Sequence, residues 1–376
     1  MSNSTPITTL LVSTSYPATA SDWQGRFIAD MVTSLARITD HHLQVWAPPG
    51  DMPKNVFYAA TDEDAVWLNQ LTQAGGIAHL LRKRSLFAII QAIRLLMRLR
   101  SAYHNNAADV LHINWLQNAL PLKATGKPAL VTVLGSDFGL LKMPGMVFML
   151  RRALQGRRVI LAPNAEWMAP KLERHFGNVA EIRPIPFGVD SAWFDIKRTA
   201  SLAPPHRWLA VTRITRDKIG NLFAWGEGLF GSGRELHLFG PLQEKLTLPG
   251  WVVWHGPTNP QKLAHDWFPI AAGLVTLSQH DEGRPQVMLE AMASGLPVIA
   301  SNLLAHRDFI RHGETGWIAD SPKTFASGLE CLEMPTTNRM MGEAARKWIC
   351  TTVGDWDACA ARYATAYREL LGHGHG

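Results

Sequence analysis

In "DEGRPQVMLEAMASGLPVIAS", residues 281–301, Glu282 and Glu290 stand eight positions apart, with Pro285 between them and Gly295 beyond. Carboxylates accept hydrogen bonds from hydroxyls such as those of a sugar or a ribose. A helix beginning at about Pro285 would present unpaired N–H groups around Gly283, Arg284, Gln286 and Val287, together with a partial positive charge, and both favour a bound phosphate. Taken singly, either glutamate could be a dipole partner or a solvated surface residue. What sets the stretch apart is that Gly283, Pro285, Gly295 and Pro297 all agree with one geometry.

That geometry needs particular elements around it. Upstream, "AAGLVTLS" (271–278) is a short apolar run that reads as a buried strand, and Pro285 suits the first helical position because its missing N–H has no partner there. Leu289, Met292 and Ala293 recur at helical spacing, Gly295 is placed to end the helix in a left-handed conformation, and "LPVIAS" reads as the next buried strand. Glu282 then falls in the loop at a strand's carboxyl end, where open α/β sheets bind ligands.

The same alternation runs from end to end. Strand candidates are "TTLLVST", "LQVWAPP", "ADVLHIN", "ALVTVLG", "RVILAPN" and "EIRPIPFG" in the first half, then "WLAVTRI", "ELHLFG", "WVVWHG", "GLVTLS", "PVIAS" and "GWIA". Helical stretches separate them, which predicts parallel sheets covered on both faces. The 376 residues suffice for two such domains, and "GVDSAWFDIKRTASLAPP" breaks the pattern near 188–205. The expectation is an α/β chain of two Rossmann-like, doubly wound parallel-sheet domains, 1–190 and 205–355.

Several ordered segments carry a resemblance. "EG.P...LEAMA.G.PVIAS", with its Glu-x7-Glu, resembles the signature of retaining glycosyltransferases of the GT-B fold, in particular glycosyltransferase family 4 (glycosyl transferases group 1). "SYPATASDWQGRF" (15–27) is similar to that family's first loop, "VLGSDFGLL" (133–141) to its "HGSD" segment and "PIPFGVDSAWF" (184–194) to its hinge. "VTRITRDKIG" (211–220) is similar to "VGRL...KG", and "RDFIRHGETGWIA" (307–319) to "E.I..G..G.L".

The resemblance implies two domains facing across a cleft, with a last helix, 356–372, that packs back on the first. It implies a nucleotide diphosphate sugar as donor, no metal and no other cofactor. Arg213 and Lys218 match the residues that bind the donor's diphosphate, and Gly25 the glycine lying near it. Glu282 matches the residue that contacts the transferred sugar, and Glu290 the one that holds the ribose. His112 in "DVLHINW" and Asp137 in "GSDF" match positions facing the cleft, although each alone is more often a structural hydrogen-bonding residue. Retention would follow from same-face attack, the departing phosphate helping to deprotonate the acceptor. The sequence departs from the family at Leu134, where many relatives carry His, and at Asn114, where a second His is frequent.

Charge narrows the partner. Lys and Arg outnumber Asp and Glu by 19 to 12 through Pro186 and number 18 against 19 beyond it, within a formal net charge of +6. The segments 79–103 and 140–158 mix basic residues with leucine, isoleucine and methionine, a composition suited to an interfacial helix on an anionic membrane. The alternative is a core helix over 86–99 with basic ends. No nucleic-acid recognition motif accompanies the charge. Cys331, Cys350 and Cys359 lack metal or disulfide spacing and read as reduced thiols. No Gly-x4-Gly-Lys-Ser/Thr occurs, so a P-loop NTPase is unsupported, and neither His-Glu-x-x-His nor a zinc cluster is present.

The functional expectation is a cytoplasmic, membrane-peripheral transferase moving a hexose-type sugar to a lipid-linked or cell-surface saccharide acceptor. A catalytically silent nucleotide-sugar-binding subunit and a nucleotide-sugar epimerase of the same architecture are the competing readings.

Overall fold

A computed structural model describes residues 6–19, 22, 25–76, 80, 86–199, 203–231, 233–280 and 283–372. The chain divides into two units, one comprising Met1–Phe187 with Trp356–Gly376, the other Gly188–Asp355.

The first unit holds a seven-stranded sheet in the order β3-β2-β1-β4-β5-β6-β7. Its strands are β1 (Ile7–Val12), β2 (His41–Trp46), β3 (Phe57–Tyr58), β4 (Val110–Asn114), β5 (Ala129–Val133), β6 (Val159–Pro163) and β7 (Glu181–Ile182), all paired in parallel. Every residue of β4, β5 and β6 is buried, because helices cover both faces and no strand face meets water. The helix Arg26–Leu35 packs against the last helix, Trp356–Leu370. Trp356, Cys359, Tyr363 and Tyr367 of that last helix are buried in the first unit's core, so the end of the chain completes a domain begun at its start.

The second unit holds six parallel strands in the order β10-β9-β8-β11-β12-β13. These are β8 (His206–Val211), β9 (Arg234–Phe239), β10 (Val252–Gly256), β11 (Gly273–Thr276), β12 (Val298–Ser301) and β13 (Trp317–Ala319). Strand order reverses between β8 and β11 here, and between β1 and β4 in the first unit. Both sheets are therefore doubly wound, and a crevice opens at the carboxyl ends of the strands where the winding changes direction.

The segment expected to separate the domains belongs to the second unit from Gly188 onward. Val189 and Trp193 are buried in that unit's core, and the Asp190 carboxylate caps the turn Ser191–Trp193 by accepting the Ala192 N–H at 3.0 Å. Over 188–194 the break in helix and strand periodicity does not loosen the chain, since Val189 and Trp193 anchor it.

Candidate donor site in the second unit

The helix Gln286–Ala293 is delimited by local chemistry. Pro285 is its N-cap, with φ −68° and ψ 116°, one position earlier than the first helical place expected for it. At the other end Gly295 has φ +72°, its N–H reaches the Met292 carbonyl at 3.0 Å, and the Leu296 N–H reaches Ala291 at 2.8 Å. These paired bonds form a Schellman closure, which requires the left-handed conformation glycine adopts freely. Among the described residues no side chain caps the helix at its N-terminus. The Met288 N–H turns back to the Pro285 carbonyl at 3.2 Å, and the N–H groups of Gln286 and Val287 have no partner within the helix.

The loop after β8 faces the same switch point. Thr215 caps the short helix Arg216–Ile219 by accepting the Lys218 N–H at 3.3 Å, leaving Arg213 exposed before it and Lys218 half-buried within it. This loop is bonded to the one after β11. Gln279 donates its N–H to the Asp217 carbonyl at 2.8 Å, and its side-chain amide reaches Asn221 Oδ1 at 3.1 Å. Gly220, with φ +52°, lies so close to β11's end that a Cβ would stand 1.9 Å from the Leu277 oxygen. Only a residue without a side chain fits.

The structure brings Arg213, Lys218, Gly283 and the start of the helix Gln286–Ala293 to the carboxyl ends of β8 and β11. Glu290 lies half-buried within that helix, while Glu282 is outside the described residues. The side chains of Arg284 and Gln286, whose N–H groups are the expected contribution, pack within the unit. The Arg284 guanidinium pairs with Asp308, both side chains 4% exposed, and lies 5.7 Å from the Phe309 ring. Gln286 donates from Nε2 to the Gly188 carbonyl at 2.9 Å. Both side chains help hold the loop.

One positioning network escaped the sequence reading. Ser301 donates from Oγ to the Ser278 carbonyl at 2.6 Å, and His306 Nδ1 lies 2.9 Å from the Ser301 carbonyl. It ties the loops after β11 and β12 together. Its signal was the serine closing each of "LVTLS" and "PVIAS", with a histidine five residues past the second.

In the first unit the outcome differs. Gly25 has φ +75° at the start of the helix Arg26–Leu35, and a Cβ there would stand 2.5 Å from Ser15 Oγ, so the first loop's own packing demands glycine. His112 does not stand at a strand end. It lies inside β4, fully buried, with Nδ1 2.6 Å from the Tyr367 hydroxyl and Nε2 2.8 Å from Thr132 Oγ1. Burial first, then the nearby His41 charge, pushes its pKa down to about 3, so it is neutral at ordinary pH. Its placement as a cleft residue is corrected: the last helix covers it.

Asp137 does stand past the end of β5, but it is buried, and its carboxylate accepts the Leu134 N–H at 2.9 Å and the Leu116 N–H at 3.3 Å. Burial raises its pKa to about 7 against the opposing pull of those two bonds. It braces the loops after β4 and β5 and is not open to a ligand. Among the described residues no three His, Cys, Asp or Glu side chains converge as a metal site would require.

Residues 229–348 match the family model described as glycosyl transferases group 1. Among curated proteins, a D-inositol 3-phosphate glycosyltransferase from Thermobispora bispora is 34% identical over 127 residues, 33% of this chain and 29% of that protein. Its counterpart from an Arthrobacter species is 31% identical over 134 residues, 32% of this chain and 31% of that protein. The chain thus spans about a third of the length of the curated relatives it matches.

Among solved structures, sucrose-phosphate synthase from Thermosynechococcus elongatus superposes with a TM-score of 0.69 at 17% identity, over 98% of this chain and 100% of that one. An Anabaena protein, HepE, solved with UDP and glucose, does so with a TM-score of 0.61 at 12% identity, over 98% and 100%. The chain has the GT-B fold, and its second unit carries the signature of the group 1 glycosyltransferases.

Proposed function

We propose that the protein is a retaining, metal-independent glycosyltransferase that takes a hexose-type sugar from a nucleotide diphosphate donor bound in the second unit. One observation carries the reading. At the switch between β8 and β11, a loop bearing Arg213 and Lys218 is bonded to the loop that leads into an uncapped helix N-terminus. Cations and helix N–H groups brought together in this way would answer the charge that develops on a departing diphosphate. In this reading Glu282 orients the sugar, Glu290 holds the ribose, and the N–H groups around Gly283 to Val287 complete the phosphate cradle. The UDP and UDP-glucose complexes of a protein sharing the fold support a nucleotide-sugar ligand.

The acceptor in this proposal is a lipid-linked or surface saccharide met at an anionic membrane. No helix of the described residues is long and apolar enough to cross a bilayer. The first unit instead exposes apolar side chains on two helices that both pack on the turn-rich segment Leu116–Ala124. Helix Leu86–Asn105 exposes Ile90 (60%) and Met97 (59%), and helix Met146–Leu154 exposes Phe148 (67%). Arg94, Arg100, Lys142 and Arg152 are exposed on the same segments. Arg98 is withdrawn from this surface by its ion pair with Asp64, and Arg82, Lys83 and Arg84 lie outside the described residues. Apolar area beside cations suits an interfacial surface.

The test is a thermal-shift screen of UDP, GDP, ADP, CMP and dTDP sugars without added metal, followed by turnover of the sugar that binds. Stabilisation by one nucleotide sugar, lost in Lys218→Ala, is expected. Absence of a shift with all of them overturns the donor site.

A further inference from the structure

At the opposite end of the helix Gln286–Ala293, the second unit has a cavity of about 760 Å³ lined by Lys197, Arg198, Arg339 and Arg346 with Glu343 as its one carboxylate. Among the described residues, none of the four cations has a carboxylate within ion-pair distance. Arg198 donates from Nη1 to Asn338 Oδ1 at 2.7 Å and to the Gly295 carbonyl at 3.1 Å, and from Nη2 to the Ala271 carbonyl at 2.5 Å. Arg346 donates from Nη2 to the Ile196 carbonyl at 2.7 Å and the Ser294 carbonyl at 2.5 Å. All of these acceptors are neutral.

The carbonyls of Ser294 and Gly295 are among those a helix leaves unpaired at its C-terminus, so closing the helix accounts for part of this arrangement. It does not account for the rest. The Nε atoms of both arginines are buried without a hydrogen-bond partner, which native structures seldom tolerate. The two guanidiniums are also close enough to oppose one another: burial first, then the Arg346 charge, lowers the Arg198 pKa to about 10. A second pair of cations, Lys197 and Arg339, stands exposed on the same cavity. An occupant with negative charge and several acceptor oxygens would offset the repulsion and pair with the exposed cations.

We propose that this cavity binds a phosphorylated small molecule, its phosphoryl oxygens held by Lys197, Arg198, Arg339 and Arg346. The site is separate from the donor site at the helix's other end, and its existence does not depend on the donor reading. Arginines that serve a phosphate bidentately here also hold the C-terminal carbonyls of the helix that begins in the donor loop.

The experiment titrates inorganic phosphate into the full chain at constant ionic strength and follows thermal unfolding. It compares wild type, Lys218→Ala, and the double variant Lys197→Glu/Arg339→Glu, whose altered side chains are exposed. A saturable rise in Tm in wild type and Lys218→Ala, with the midpoint moved at least about tenfold higher in the double variant, is the expected result. Saturable binding that survives in the double variant and vanishes in Lys218→Ala assigns the phosphate to the donor site and overturns the proposal. A response that does not saturate in any form overturns it as well. Donor-sugar turnover by the double variant reports independently on the other site, so failure of one reading is distinguishable from failure of the other.

Discussion

The backbone N–H of Gln279 is bonded to the carbonyl of Asp217 at 2.8 Å, joining residues 62 positions apart across the switch between β8 and β11. Neither side chain takes part. The bond holds the loop that carries Lys218 against the loop that leads to Gly283 and the helix Gln286–Ala293, so in the proposed donor site the two are joined before any ligand arrives. Preorganised charge of this kind stabilises a leaving anion without reorganisation at the moment of reaction.

Lys218→Ala is expected to lower kcat by about a hundredfold, as loss of one preorganised stabilising group does elsewhere. Its fold is expected to be intact, since the helix cap uses the Lys218 N–H and the Thr215 hydroxyl, not the ammonium. Steady-state kinetics with the donor found by screening, beside a circular dichroism melt, checks this; unchanged kcat removes Lys218 from the site.

Gly220→Ala should destabilise the second unit by more than about 1 kcal/mol and weaken donor binding together with it. The backbone is at φ +52°, and the new Cβ would meet the Leu277 oxygen at 1.9 Å, which forces the two bonded loops apart. Urea denaturation with a nucleotide titration measures both effects.

Removing one partner of the Arg284–Asp308 pair leaves the other charge buried. Asp308→Ala is expected to cost about 3–5 kcal/mol, and Arg284→Met with Asp308→Leu to cost less than Asp308→Ala alone. Denaturant midpoints of the three proteins decide it. A smaller loss for the single variant than for the double contradicts the buried pair as drawn.

His112 makes the first unit sensitive to acid. Its folded pKa of about 3 lies below the ordinary value of 6.5, so between those limits the unfolded chain binds a proton that the folded chain refuses. Stability therefore falls as pH drops through that window and levels near its lower end. In His112→Gln the slope of stability against pH between 6.5 and 4 should flatten, which denaturation at a series of pH values reads directly.

Ile90→Asp combined with Phe148→Asp alters two side chains that are 60% and 67% exposed, so folding should be unchanged. Flotation with vesicles containing anionic lipid is expected to recover the wild type and not the variant, because apolar insertion and the neighbouring cations act together. Equal flotation of both would exclude this surface.

The parallel sheets were legible because their signals are local. "VLHIN", "ALVTV" and "VILAP" are continuous apolar or neutral runs of strand length, and such runs are buried on both faces wherever helices follow each strand. The candidate helix was legible for the same reason, Pro285 and Gly295 marking its two ends. Fate of the polar side chains was not legible. "DVLHIN" places His112 beside the end of a strand, and nothing nearby announces Tyr367, 255 residues later, whose helix covers it.

By itself, then, the sequence determined the order of strands and helices, the approximate limits of the helix Gln286–Ala293, and the basic, apolar composition of 79–103 and 140–158. Each follows from residue types over a few turns. Only the tertiary structure decided which charges are engaged: Arg284 by Asp308, Arg98 by Asp64, Arg198 and Arg346 by backbone carbonyls around a cavity. Whether a charge is free depends on the desolvation and partners it meets on folding, and those partners come from segments that spacing along the chain does not connect.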